Sequence, residues 1–260
     1  MQPSGSTGQV PVAGAALAGR PVDPTVVPRV VRRMGGVREV VWRNELGGLT
    51  FLLDEPERFV KWVPVGVPLD LDAEVTRMRW AAPFTPVPTV LEAGADDEGS
   101  WLVTRPLAGR SAVDPRWLAD PLTAVRAIGS GLRAMHDALP VDGCPFDWGV
   151  ERRLAVADAR EGGRSQARAA LGPPPPVDRL VVCHGDACAP NTLLADDGSW
   201  LAHVDLGTLG VADRWADLAV ATYSTLWNYG PGFEEPLLEA YGIAPDAERT
   251  DFYRRLWDAT

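Results

Sequence analysis

The stretch on which the fold turns is "VVCHGDACAPN", Val181–Asn191. Two valines and a cysteine make a short apolar run that reads as a buried strand. The run passes directly into a His, a Gly and an Asp. Five residues after Asp186, behind a proline, comes Asn191. Fourteen residues further on, a second apolar run ends in "VDLG" and carries Asp205. A carboxylate at the end of a strand, a carboxamide at that interval and a second carboxylate place hard oxygens around one candidate base.

Phosphoryl transfer asks for such a set and for little covalent chemistry from the protein. It needs a carboxylate to orient the acceptor hydroxyl, oxygen ligands for magnesium and a cation on the phosphates. On this reading Asp186 orients the hydroxyl, and Asn191 and Asp205 supply oxygens for Mg²⁺. Pro190 helps fix the loop between them by locking φ. The cation is expected on a strand upstream. Lys61 stands in mid-strand in "RFVKWV", and Glu74 lies in the helix that follows, placed to hold it. The competing reading of Lys61 is a charge on an edge strand. Cys183 and Cys188 flank Asp186 and invite a nucleophile, but a free Cys is more often a small buried filler.

The rest of the chain reads as α+β. Residues 1–20 are rich in Gly, Ser, Pro and Ala and read as a disordered segment. "REVVWR", "LTFLL" and "RFVKWV" read as an antiparallel meander, with "NELGG" and "DEPE" as turns. "DLDAEVTRMRWAA" follows with helical spacing, and a hairpin bending at Asp96–Gly99 comes next. After Gly109 the pattern changes. Asp120 and Pro121 open a long amphipathic helix, "LVVCHGD" and "WLAHVDLG" read as strands, and from Ala212 onward, with breaks near Gly230–Gly232 and Gly242–Pro245, everything reads as helical. The expected division is a nucleotide-binding lobe over 21–104, a hinge at 105–109 and a helical lobe over 110–260. The formal net charge of −10 argues against nucleic acid or an anionic membrane as main partner. No apolar run approaches the roughly 20 residues of a membrane span. The first basic residue is Arg20, so no secretory signal is read and a cytoplasmic location is expected. Three cysteines without a CxxC pair suggest reduced thiols.

Taken together, "HGDACAPN", "VDLGTLGVADRWADLA", "WLVTRPLAGRSA", "LRAMHDALPVDGCPFDW" and "YGIAPDAERTDFYRRLWD" resemble the aminoglycoside phosphotransferase family, nearest to its 3′-phosphotransferase branch. The resemblance runs from about Val41 to the C-terminus, apart from 151–177. It implies a protein-kinase-like fold of two lobes, with ATP and Mg²⁺ as cofactors. It also implies transfer of a γ-phosphoryl group to a hydroxyl of an aminoglycoside-type antibiotic. Carried over, Asp186 is the catalytic base, Asn191 and Asp205 bind the metal, and Lys61 with Glu74 holds the phosphates. The hinge backbone around Arg105 and Leu107 takes the adenine, and Asp217 braces the catalytic loop. His184 is a structural residue of that loop, and His136 and His203 are satisfied core or surface histidines. A monomer or weak dimer is expected.

The acceptor half departs from the branch. The region "REGGRSQARAALGPPPPVD" is short and basic in its first half, where the branch carries an acidic loop. Thr208 stands where an Arg is usual, and Trp227–Asn228 replaces an acidic pair. Asp258 remains, and Asp258, Trp227 and Asn228 are the expected acceptor contacts. Two alternatives stay open at this point. One is a kinase of the same fold acting on a nucleoside, sugar or peptide antibiotic, and the other is a nucleotide-binding protein without transfer activity.

Overall fold

The structure is a computed structural model that describes residue 21 and residues 25–44, 46–161 and 171–260. The expectation for residues 1–20, and most of that for the shortened basic region, lies outside the described residues. By its own contacts the chain divides into two compact units.

The smaller unit comprises residues up to Leu69 together with Glu92–Val103. Its sheet runs in the order β1 (Val37–Arg43), β2 (Leu49–Leu53), β3 (Arg58–Pro64), β5 (Gly99–Thr104), β4 (Val90–Ala95). The β1–β2 and β2–β3 pairs are antiparallel, as the meander predicts. Leu49, Phe51 and Leu53 alternate inward along β2. They meet Val60, Val103 and the pair Val30 and Val31. Those two valines belong to a short helix, α1 (Arg29–Met34), which the sequence reading did not anticipate. Arg29 anchors it, pairing with Asp97 at 2.7 Å and Glu98 at 2.6 Å across the β4–β5 turn. In the β1–β2 turn, Asn44 Oδ1 accepts from Gly48 N at 2.7 Å and from Leu46 N at 3.1 Å. That side chain closes the turn on itself, with Gly47 at φ +92° making the reversal.

The larger unit comprises Asp70–Leu91 and Thr104–Thr260. By contacts, α2 (Leu71–Ala81) groups with the larger unit. Two of its side chains reach other parts of that unit. Arg77 Nε donates to Leu209 O at 2.9 Å and its guanidinium lies 4.9 Å from the Phe146 ring centroid. Trp80 meets the same ring edge-on at 5.8 Å. Asp70 caps the helix through Ala73 N at 2.9 Å. Beyond lie α3 (Pro115–Leu118) and the central α4 (Pro121–Ala138), capped by Asp120 as expected. α5 (Val150–Glu161) follows. Among the described residues the further helices are α6 (Trp215–Asn228), α7 (Glu234–Tyr241) and α8 (Ala247–Ala259). Their inner faces form one core with Val125, Ile128, Leu132, Trp215, Leu218, Leu237 and Leu256 buried.

Two small sheets carry the functional loops. β7 (Leu180–Cys183) pairs antiparallel with β10 (Gly210–Asp213), and β8 (Thr192–Leu194) lies between β6 (Arg110–Ser111) and β9 (Trp200–His203). The expectation of helix from Ala212 onward fails at β10. "GVAD" has little strand propensity of its own, and its extended form comes from the ladder to Val181–Cys183. "WLAHVDLG" is strand only as far as His203.

Replacing Arg77 with Met keeps the stem of the side chain but removes the hydrogen bond to Leu209 O and the charge over Phe146. The expected loss of stability is about 1–3 kcal/mol, read from urea denaturation. A change below about 0.5 kcal/mol would mean α2 is held to this unit by its apolar face alone.

Candidate active site

The site grows out of the two loops that follow β7 and β9. After Cys183 the chain enters His184–Gly185–Asp186. Gly185 has φ +87°, and a Cβ on it would lie 2.3 Å from Thr208 O. The two loops approach so closely that only glycine fits there. A backbone bond from Val204 N to Asn191 O, 2.9 Å, joins them a second time. His184 Nε2 bonds Val204 O at 2.9 Å and its Nδ1 receives Asp186 N at 3.2 Å. A carbonyl cannot donate, so Nε2 carries the proton and Nδ1 is the acceptor. With both nitrogens committed, His184 is a clamp between the loops, not a base.

Beneath this loop sits Asp217, on α6 and fully buried. Its carboxylate accepts from His184 N at 2.6 Å, Gly185 N at 2.9 Å and His136 Nε2 at 2.9 Å. Tyr241 OH backs His136 Nδ1 at 2.9 Å. Burial alone would raise the Asp217 carboxyl. The hydrogen bond and charge of His136 and the Gly185 N–H outweigh it and hold the group below the ordinary carboxylate range. His136 is thus more than a satisfied core histidine. His203 is less: it is buried, neither ring nitrogen has a partner, and burial pushes it well below the usual histidine range.

Asp186 is half-buried. Its Oδ2 accepts from Asn191 Nδ2 at 3.1 Å, whereas Oδ1 is shielded from solvent with no hydrogen bond. Burial first, and the negative charge of Asp205 second, raise the Asp186 carboxyl above its ordinary value. One oxygen is therefore fixed by the loop and the other is bare, in a setting that makes it more basic. Asn191 Nδ2 also donates to Asp186 O at 3.0 Å. This commits the amide nitrogen and leaves Asn191 Oδ1 as a hard oxygen. Asp205 has φ +63°, a conformation uncommon outside glycine that concentrates at functional sites. A Cβ built on Gly207 would lie 3.9 Å from Asp205 Oδ1 and 3.8 Å from Oε2 of the buried Glu74. The oxygens of Asn191 and Asp205 fit a magnesium ion in chemistry and in setting.

The thiols are fillers. Cys183 is fully buried and donates to Asp213 O at 3.4 Å. Burial and the adjoining Asp186 charge push the Cys188 thiol up, away from the reactive thiolate. At the hinge, Arg105 N donates to Thr89 O at 2.9 Å. Among the described residues, the Arg105 carbonyl and the Leu107 N–H have no backbone partner. Lys61 lies at the centre of β3, opposite Thr50 of β2. Asn228 Nδ2 donates to Ser224 O at 2.8 Å and to Ser224 Oγ at 3.1 Å, and Ser224 Oγ accepts from Ala189 N at 2.9 Å. Sequence reading missed Ser224, whose signal is only its helical spacing from Asn228. Trp227 and Asp258 are exposed. Two concavities of about 270 and 510 Å³ are lined by other residues and stand apart from Asp186.

The profile of the phosphotransferase enzyme family matches residues 43–253. The chain belongs to this family. It is 36% identical to an aminoglycoside 3′-phosphotransferase of Streptomyces fradiae, over 78% of this chain and 85% of the relative. It is 34% identical to a streptomycin 3″-kinase of Streptomyces griseus, over 86% and 92%. Among solved structures it is similar to the aminoglycoside phosphotransferase APH(3″)-Id of Streptomyces rimosus in complex with ADP and streptomycin. That match has a TM-score of 0.66 and 29% identity, and covers 82% of this chain and 90% of the other. A type VIII aminoglycoside 3′-phosphotransferase gives 0.68 and 30%, over 83% and 90%. The two-lobed, kinase-like expectation for this family member agrees with those neighbours. No helix among the described residues is long and apolar enough to cross a membrane.

Asp217→Ala leaves two buried N–H groups and one imidazole without an acceptor. The expected cost is about 3–5 kcal/mol at neutral pH. Because the folded-state pKa is depressed, the stabilisation is present above the ordinary carboxylate range and lost as pH falls through the depressed value. Denaturation curves of wild type and variant should therefore converge in acid. A constant difference across pH would assign the effect to packing.

Proposed function

We propose that this chain transfers the γ-phosphoryl group of ATP to a hydroxyl of an aminoglycoside-type antibiotic, as a resistance kinase. The observation that carries the reading is Asp186: a carboxylate with one oxygen pinned by Asn191 and the other bare, buried and basic. The Asp186 carboxylate accepts the proton of the acceptor hydroxyl as that oxygen attacks, and Asn191 keeps the carboxylate oriented. Asn191 Oδ1 and Asp205 would hold Mg²⁺, which when bound neutralises charge on the phosphates. Lys61 and Glu74 serve the phosphate side, and the Arg105 carbonyl and Leu107 N–H serve the adenine edge. Asp258 is the acid for a cationic acceptor. Asn228, by holding Ser224, supports the loop at Ala189. The relatives named above support this reading with their activities, one toward streptomycin.

The carboxamide of Asp186→Asn keeps the shape but cannot take a proton. Transfer should fall by about 10²–10⁴-fold, with nucleotide binding retained. The raised Asp186 pKa means that its ionised form costs the fold stability at neutral pH. The variant should therefore melt higher than wild type near neutrality. That advantage should shrink as pH falls through the raised value toward the ordinary carboxylate range. Turnover within threefold of wild type sinks the assignment, and a lower melting temperature would mean the carboxylate is net-stabilised where it sits.

Asp205→Ala should weaken magnesium and nucleotide together. ATP affinity measured across a magnesium titration reads this directly. An unaltered magnesium dependence moves the metal site elsewhere.

A further inference from the structure

We propose that Ser111 is a positioning residue for phosphoryl transfer: its hydroxyl fixes the Pro190–Asn191 peptide, and through it the Asn191 amide on Asp186. The inference rests on the transfer reading above and adds a residue to it. Ser111 lies in β6, just past the hinge segment and 79 residues before Pro190. The β6–β8 register sets Arg110 opposite Leu194 and Ser111 opposite Leu193, and Ala112 N donates to Thr192 O at 2.8 Å. β6 therefore runs back along the strand that leaves Asn191. There Ser111 Oγ donates to Pro190 O at 2.9 Å and accepts from Val113 N at 3.4 Å. A carbonyl can only accept, so the hydroxyl hydrogen points at Pro190 and the oxygen is left for the Val113 N–H.

Ser111 is itself held from two sides. Tyr229 OH donates to Ala112 O at 2.8 Å. A Cβ on Gly109 would lie 2.9 Å from Leu194 O, so the chain before Ser111 passes against β8 with no room for a side chain. The loop is held to match. Cys188 O takes Asn191 N at 3.0 Å, and Ser224 Oγ takes Ala189 N at 2.9 Å.

The proline ring locks φ at residue 190, and the peptide that follows is planar. The backbone freedom left at Pro190 is the rotation ψ. That rotation carries the Pro190 oxygen and the Asn191 N–H together, since both belong to one peptide plane. Ser111 holds the oxygen and Cys188 O holds the N–H. With the plane fixed at both edges, the Asn191 side chain leaves from one place, and its Nδ2 reaches Asp186 O at 3.0 Å and Oδ2 at 3.1 Å. Removing the Ser111 hydroxyl frees one edge, and the amide that orients the carboxylate moves with it. Misplacing an oriented group by about 1 Å slows a reaction by up to about 10²-fold.

The test uses the whole chain as wild type, S111A, S111T and S111C, assayed by ADP release with ATP, Mg²⁺ and a panel of aminoglycosides. S111A should lower kcat about 5- to 50-fold, with KM for ATP and for the acceptor within about twofold of wild type. S111T keeps the hydroxyl and should recover most of the loss, and S111C, a weaker donor, should fall between. A second readout needs no acceptor: the side-chain amide ¹H–¹⁵N signals of Asn191, identified by their absence in N191D. In S111A they should shift or broaden, while those of Asn44 in the smaller unit stay. A rise in KM with kcat kept, S111T no better than S111A, or unmoved Asn191 signals overturns the proposal. Should S111A fail to fold, S111C carries the same comparison against S111T. Failure of the transfer reading itself would be seen separately, as no ADP release from wild type with any aminoglycoside. The Asn191 signals would still decide the role of Ser111.

Discussion

Three donors converge on one buried carboxylate, and the geometry of the larger unit depends on it. Asp217 takes the N–H groups of His184 and Gly185 and the imidazole of His136, so α6 holds the loop after β7 by its backbone and α4 holds α6. An ionised group with no solvent is costly unless every lone pair is used. The same requirement makes the arrangement specific. A loop displaced by an ångström would leave both the carboxylate and the amides unsatisfied. Through Gly185 against Thr208 and through His184 to Val204, the constraint passes to the loop that carries Asp205.

Asp186 shows the opposite use of burial. The fold does not complete its hydrogen bonds. Asn191 fixes one oxygen, and the other is kept dry and bare beside a second negative charge. The loop's backbone carries that cost, because it is anchored at points where no chemistry occurs. Stability at Asp217 is in this sense what makes instability at Asp186 tolerable.

The loop half of the candidate site was legible because its spacing is local. Asp186, Pro190 and Asn191 are neighbours in one loop, and "VDLG" carries its own turn chemistry, so a one-dimensional reading finds them. The meander was legible from alternation, and the capped helices α2 and α4 from Asp70, Asp120 and Pro121. What escaped notice depended on partners far away. β10 is extended only because β7 lies beside it. α1 owes its place to Val30 and Val31 in the core of the smaller unit and to ion pairs about seventy residues distant. His136 gained a role that a lone histidine in a helix cannot announce, since its partner is 81 residues on.

By itself the sequence determined the class of fold, the family and the local spacing of the candidate site's polar groups. Those follow from short-range patterns of polarity and from residue types whose chemistry admits few uses at that spacing. Only the tertiary structure decided which oxygen of Asp186 is bare, which nitrogen of His184 bears the proton and which lone pairs of Asp217 are spent. It also decided that α2 belongs with the larger unit, and that the Ser111 hydroxyl meets the Pro190 carbonyl. These are matters of direction and distance between groups remote in the chain. A hydrogen bond or a stacked pair exists only when packing brings its partners together within an ångström or less of the right place.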